Sequence, residues 1–139
     1  MIHAGLLTTA ITLSFLTKPR PIPPPSTIQS LVWVYKERIA SQPLPLFDTA
    51  TLSHLVLKFS QALLYSFLAL TVRFSDDAFF QNCRCQAVNF YKNSARVLLF
   101  SQIAEPTGSL ELIQSFCLLC LNEIEGLSRV LELAVWLYG

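Results

Sequence analysis

"PLPLFDTATLSHLVLKFSQALLYSFLALTVRFSDDAFF", residues Pro43 to Phe80, decides the fold. It opens on prolines, runs long with little charge and closes on two aspartates between aromatics. Between Lys58 and Arg73 the uncharged run 59–72 includes Ser60, Gln61 and Ser66. A membrane-crossing helix needs about 20 predominantly apolar residues, so a run this short reads as a buried core helix. Leu52, Leu55, Phe59, Leu63, Phe67 and Leu70 recur at steps of three and four, which predicts one continuous helix beginning near Thr51 or Ser53. Lys58, Gln61 and Tyr65 lie off that stripe, while Leu57, Leu64 and Leu68 flank it. The helix is therefore expected to be covered on more than one side.

The segments on either side continue the helical pattern. "KPRPIPPP", Lys18 to Pro25, cannot propagate a helix, because proline lacks the amide hydrogen and clashes with the preceding turn. Residues 1–25 thus form an irregular, Pro-rich N-terminal segment, and a helical domain is expected over 26–139. Ser26 or Thr27 is placed to cap its first helix, with Ile28, Leu31, Val32, Val34, Tyr35 and Ile39 at helical spacing. After the central run, Ser75 is expected to cap a helix with Asp76 and Asp77 in its first turn. Its stripe is Phe80, Cys83, Ala87, Tyr91, Ala95 and Leu98. "AEPTGS", Ala104 to Ser109, is a turn, and Ser109 caps a fourth helix carrying Glu111, Ile113, Phe116, Cys117, Cys120 and Ile124. Gly126 is expected to break that helix from a fifth, Ser128 to Tyr138. Period-two runs are missing, so the fold class is all-α, with about five helices.

Composition narrows the function. The chain has 139 residues, 53% hydrophobic and only 14% charged, against about 25% charged in an ordinary domain. Lipid or further protein is expected to cover the surplus. The apolar N-terminal stretch before Lys18 also has the look of a signal peptide, without a preceding Lys or Arg. A net charge of +1 gives no basic footprint for nucleic acid, and the ten Lys and Arg residues are scattered along the chain.

No residue is nominated as catalytic, cofactor-binding or metal-ligating. Adjacent aspartates on a helix diverge, so Asp76 and Asp77 make a poor acid/base pair and read as helix-cap residues. Cys83 and Cys85 point to nearly opposite faces of a helix, and Cys117 and Cys120 sit in the apolar "SFCLLCL". All four cysteines read as core thiols rather than a zinc site. His3 and His54 lack the context of a ligand or base, and the four glycines form no phosphate-binding loop.

Five stretches, in order, resemble the fungal-specific transcription factor domain, the middle homology region of zinc-cluster regulators. "YKERIASQPLPLFDTATL" resembles its opening, and "LLYSFLALTVRFSDDAFF" its ALLALAARFS…FF segment. "AVNFYKNSARVLLF" is similar to its A…Y..AR.LL helix, "GSLELIQSFCLLCLNEIEG" to its SLELVQALLLL…E..G stretch, and "RVLELAVWLY" to its RAW…AVRMA helix. The likeness runs from Leu31 to Gly139. It implies a helical regulatory domain acting in transcription regulation in the nucleus, often within a dimeric protein and in places answering to small molecules. The family's zinc belongs to a six-cysteine DNA-binding module that has no counterpart here, so the resemblance carries over no DNA contact, no cofactor and no enzyme activity. It also implies that the domain continues past the equivalent of Tyr138, leaving faces of the second, fourth and fifth helices open to protein partners or a second copy, with no membrane involved. The alternative is a small secreted protein with a cleaved N-terminal signal and its cysteines paired in two disulfides.

Overall fold

The computed structural model describes residues 22–39, 46–103 and 110–138. They form α1 (Pro25–Arg38), α2 (Leu52–Leu55), α3 (Gln61–Thr71), α4 (Arg84–Ile103) and α5 (Leu110–Tyr138), with 3-10 turns at Val56–Lys58, Val72–Phe74 and Ala78–Phe80. The fold is all-α, with no strand among the described residues. The 104–109 turn and its Ser109 cap lie outside the described residues, as does nearly all of the 1–25 segment.

Proline rather than a hydroxyl starts α1. Pro25 stands at the first helical position, where its fixed φ suits the helix and its missing N–H would have had no partner. Pro24 is the N-cap residue, and its carbonyl accepts from the Ile28 amide at 3.1 Å. Ser26 and Thr27, expected as caps, therefore lie inside the helix. Ile28, Leu31, Val32 and Tyr35 face the core, Ile39 closes it, and Lys36 and Arg38 sit by the negative end of the helix dipole.

The long helix expected from Thr51 is two helices. Asp48 opens the segment with an Asx turn, its Oδ1 accepting from the Ala50 amide at 3.1 Å. After α2 and one 3-10 turn, the chain extends at Phe59 (φ −59, ψ 140) and Ser60 begins a new helix. Ser60 Oγ accepts from the Leu63 amide at 3.3 Å, while the Ser60 amide donates to Glu111 Oε2 at 3.2 Å. Helical propensity alone gives no reason to stop at Phe59. The break turns that ring into a cluster, 5.2 Å from Phe47 and 5.8 Å from Phe67, and Tyr35 joins at 5.6 Å from Phe47. Leu55, on the expected stripe, is left exposed on α2.

α3 is buried on every face. Leu63, Tyr65, Phe67, Leu68, Ala69 and Leu70 are all within 2% of full burial, so Tyr65, read as off the stripe, is core. Ser66 and Thr71 are buried too, and each hydroxyl donates to the carbonyl four residues back, at 2.8 Å. α4 and α5 pack mainly on α3 and touch each other little, while α1 covers a further side.

Two more expectations change. Ser75 does not cap α4: its Oγ accepts from the Asp77 amide, and Asp77 Oδ1 caps the 3-10 turn by accepting from the Phe79 amide at 2.9 Å. The chain then passes through Asn82 at φ 67, a left-handed conformation that asparagine tolerates, before α4 begins at Arg84. The stripe itself holds, with Phe80, Cys83, Ala87, Tyr91 and Ala95 buried and Leu98 packed at its edge. Gly126 breaks nothing, since α5 runs through it as one helix of 29 residues. Glycine is tolerated in mid-helix at a cost of about 1 kcal/mol relative to alanine, which the neighbouring helical turns absorb.

Two expected outcomes follow for stability. Phe67→Asp places a carboxylate at the fully buried centre of the ring cluster and should cost about 4 kcal/mol or more, abolishing the cooperative thermal transition in circular dichroism. An unchanged melt would remove α3 from the core. Gly126→Ala should raise stability by up to about 1 kcal/mol, because its Cβ would meet only the end of Arg73, at 3.9 Å from Nη2.

Candidate functional site

α4 and α5 both pack on α3, and between them the two outer helices line a groove. Its volume is about 460 Å³. α4 contributes Arg96, Leu99 and Phe100, and α5 contributes Phe116, Leu119, Cys120, Glu123 and Ile124. The residues on α5 recur at steps of three, one, three and one, so a single helical face lines the groove. Leu99 forms the buried floor, while Phe100 is 71% exposed at the lip. Pockets of this size and apolar character take apolar ligands or side chains, with a few polar groups setting orientation.

The polar groups stand on one rim. Glu123 Oε1 lies 3.5 Å from Lys92 Nζ and 3.5 Å from Arg96 Nη2, so one carboxylate joins two cations on α4. Partly exposed pairs of this kind are worth under about 1 kcal/mol each, and their main effect is to hold α5 against α4 in register. Deeper in, Arg73 Nε donates to Asn122 Oδ1 at 2.8 Å, and Asn122 is fully buried. Gln114 Nε2 donates to the Leu46 carbonyl at 2.8 Å, tying the groove helix to the segment before α2.

The residues weighed for chemistry are not assembled. Asp76 lies 3.8 Å from Arg84 at the surface, whereas Asp77 Oδ2 accepts from Ser30 Oγ at 3.0 Å while Oδ1 caps the 3-10 turn. The two carboxylates thus serve different partners. A depression of about 250 Å³ beside them is lined by Ser30, Trp33, Glu37, Arg38, Phe74 and Ser75 among others. His54 is exposed on α2, and His3 lies outside the described residues. No group of three or more His, Cys, Asp or Glu among the described residues could hold a metal ion.

The cysteines divide. All four are free thiols. Cys83 is buried as expected, Cys117 is half-buried, and Cys85 and Cys120 are exposed, correcting the expectation that all four are core. The difference is rotational: Cys85 follows Cys83 by two positions, about 200° round the helix, so α3 covers only one of them. Burial also pushes the Cys83 thiol up, while desolvation raises Tyr91 far above the ordinary phenol range, with Tyr65 and Cys83 adding to it. Burial raises Tyr35 too, partly offset by the Leu46 backbone.

The groove itself was not read from sequence. Its signal was there in Leu99 and Phe100, apolar positions outside the α4 stripe, but their meaning depends on how closely α5 approaches. No protein-family model matches the chain, and no curated protein or solved structure is significantly similar to it.

Thiol labelling with an aromatic disulfide reagent should therefore be biphasic, with Cys85 and Cys120 reacting in the fast phase and Cys83 only on unfolding. Equal rates for Cys83 and Cys85 would contradict the packing of α4 on α3. Stability should also fall above about pH 10. Below that pH the phenols are protonated in both states. Above it the unfolded chain loses protons that buried Tyr91 and Tyr35 keep, so unfolding is favoured. Tyr91→Phe should flatten this decline in denaturant midpoints measured from pH 8 to 11.

Proposed function

We propose that this chain is part of the helical regulatory domain of a fungal zinc-cluster transcription factor, without the DNA-binding module itself. The observation that carries the reading is the order of five sequence stretches, from "YKERIASQPLPLFDTATL" to "RVLELAVWLY", each resembling the corresponding part of that domain. The all-α architecture supports it, and the apolar groove between α4 and α5 supplies a surface through which such a module would act. Regulation here is contact: the groove takes an apolar side chain or a small apolar effector, and occupancy changes how α5 is held by Glu123, Lys92 and Arg96. The chain then acts in the nucleus, on transcription, through a reader of DNA carried elsewhere.

The reading is tested by fusing the full chain to a heterologous DNA-binding domain and measuring a reporter gene in a fungal host. Reporter output should differ at least severalfold from that of the DNA-binding domain alone, and Phe67→Asp should abolish the difference. Output equal to the unfused control, with the fusion present in the nucleus at the same level, would overturn the proposal. Sequencing the native transcript supplies an independent check. A six-cysteine cluster encoded upstream in the same frame is the expected result.

A further inference from the structure

The sequence holds two close cysteine pairs, and helix geometry treats them differently. Cys83 is buried just before α4, while Cys85 is exposed on it, about 200° further round, so the two sulfurs face apart. Cys117 and Cys120 stand three positions apart on α5, about 60° from one another round the axis, a spacing that sets Cβ atoms about 5–6 Å apart on one side of a helix. That side is the outer one. Ser115, Leu118 and Asn122 face the core, whereas Cys120 is exposed at the groove and Cys117 is half-buried beside it. Both are free thiols. The turn that carries them is held at each end, by Gln114 on the Leu46 carbonyl and by Arg73 on Asn122, both at 2.8 Å. A pair on a pinned turn is preorganised, so little ordering is lost when it takes a ligand.

We infer that Cys117 and Cys120 form a two-thiolate site for copper(I). Three observations select that ion. The first is width. A disulfide holds its Cβ atoms about 3.5–4.5 Å apart, closer than a helix sets residues three apart, so this turn would have to unwind to close one. A single ion bound to both sulfurs spans the wider gap with the helix intact. The second is ligand number. Structural zinc asks for four donors in a tetrahedron. Among the described residues no group of three or more His, Cys, Asp or Glu could hold a metal ion, and the carboxylate one turn on, Glu123, is engaged by Lys92 and Arg96. Copper(I) is soft, selects thiolates and is satisfied by two of them in a linear arrangement. The third is the surroundings. Ile113, Phe116 and Ile124 share the outer side with the thiols and offer no oxygen to the harder ions that need one. Binding is a ligand exchange without oxidation or reduction: two S–H bonds give up their protons to solvent, two Cu–S bonds form, and the copper stays monovalent. The site does not rest on the transcription reading.

The test is titration of the full chain, reduced and free of oxygen, against the copper(I) complex of bicinchoninate, whose colour is lost as the protein takes the ion. One copper(I) per 15.6 kDa chain is the expected stoichiometry. Cys117→Ser and Cys120→Ser should each weaken binding by roughly 100-fold or more, because the second thiolate no longer binds within the same molecule. Cys85→Ser should leave it unchanged. Affinity should rise with pH, as two protons leave for each ion bound. X-ray absorption at the copper edge should show two sulfur neighbours and no nitrogen, a readout taken on the wild-type chain and so independent of how the variants fold. Copper(I) left on the competitor by the wild-type chain would overturn the inference. So would one ion shared between two chains, Cys117→Ser binding as tightly as wild type, or a copper shell containing imidazole nitrogen.

Discussion

Complete burial of α3 is the constraint on which the rest depends. A helix of 11 residues whose apolar and aromatic side chains point all round cannot be stable against water on any side. Burying each large side chain contributes roughly 1.5–3 kcal/mol, so a chain that closes around α3 gains more there than anywhere else. α1, α4 and α5 are the walls that achieve it, and each presents a stripe to α3 rather than to its neighbours in the shell. The hydroxyls of Ser66 and Thr71 are compatible with this burial because each finds a carbonyl within its own helix.

Apolar packing around a single axis leaves sliding and rotation weakly specified. Polar ties across the shell remove that freedom. Glu111 holds the Ser60 amide at the start of α3, Gln114 holds the Leu46 carbonyl, and Arg73 at the end of α3 holds Asn122. Three successive positions along α5 are thereby pinned to three points on the core, which fixes its height and its rotation together. Ser30 and Asp77 do the same for α1 against the turn before α4. These contacts add little energy singly, but each leaves a donor or acceptor unpaired if the register shifts.

The same geometry produces the groove and the bare face. α4 and α5 both pack on α3 but touch each other little, so Leu99, Phe100 and Phe116 line a space that no other described element fills. α5 then runs on past the core for about a dozen residues with its apolar character unchanged. The surplus of hydrophobic side chains noted from composition is thus not spread over the surface. It is concentrated on α5 and the outer side of α4, next to the groove. Of the second helix of the sequence reading, expected to share that exposure, the Gln61–Thr71 part is instead the best-covered element of the fold, while Leu55 and Leu57 before it are exposed.

Sequence alone determined the all-α class, the burial of the Gln61–Thr71 run and the Phe80 to Ala95 stripe, because repeated apolar spacing at the helical period leaves few other ways to hide those side chains. Boundaries were another matter. Nothing local distinguishes Phe59–Ser60 from helix interior; the break exists because Phe59 packs on Phe47 and Phe67 and Glu111 reaches the Ser60 amide, partners between 8 and 51 residues away. Gly126 failed as a breaker for the converse reason, since the turns on both sides carry it through. Likewise Ser75, a good cap by type, lost that place to Asp77, whose carboxylate also serves Ser30. Which thiols are hidden and where the groove opens depended on the rotation of α4 and α5 about α3. Only tertiary structure could decide that rotation, because it is set by contacts between segments distant in sequence.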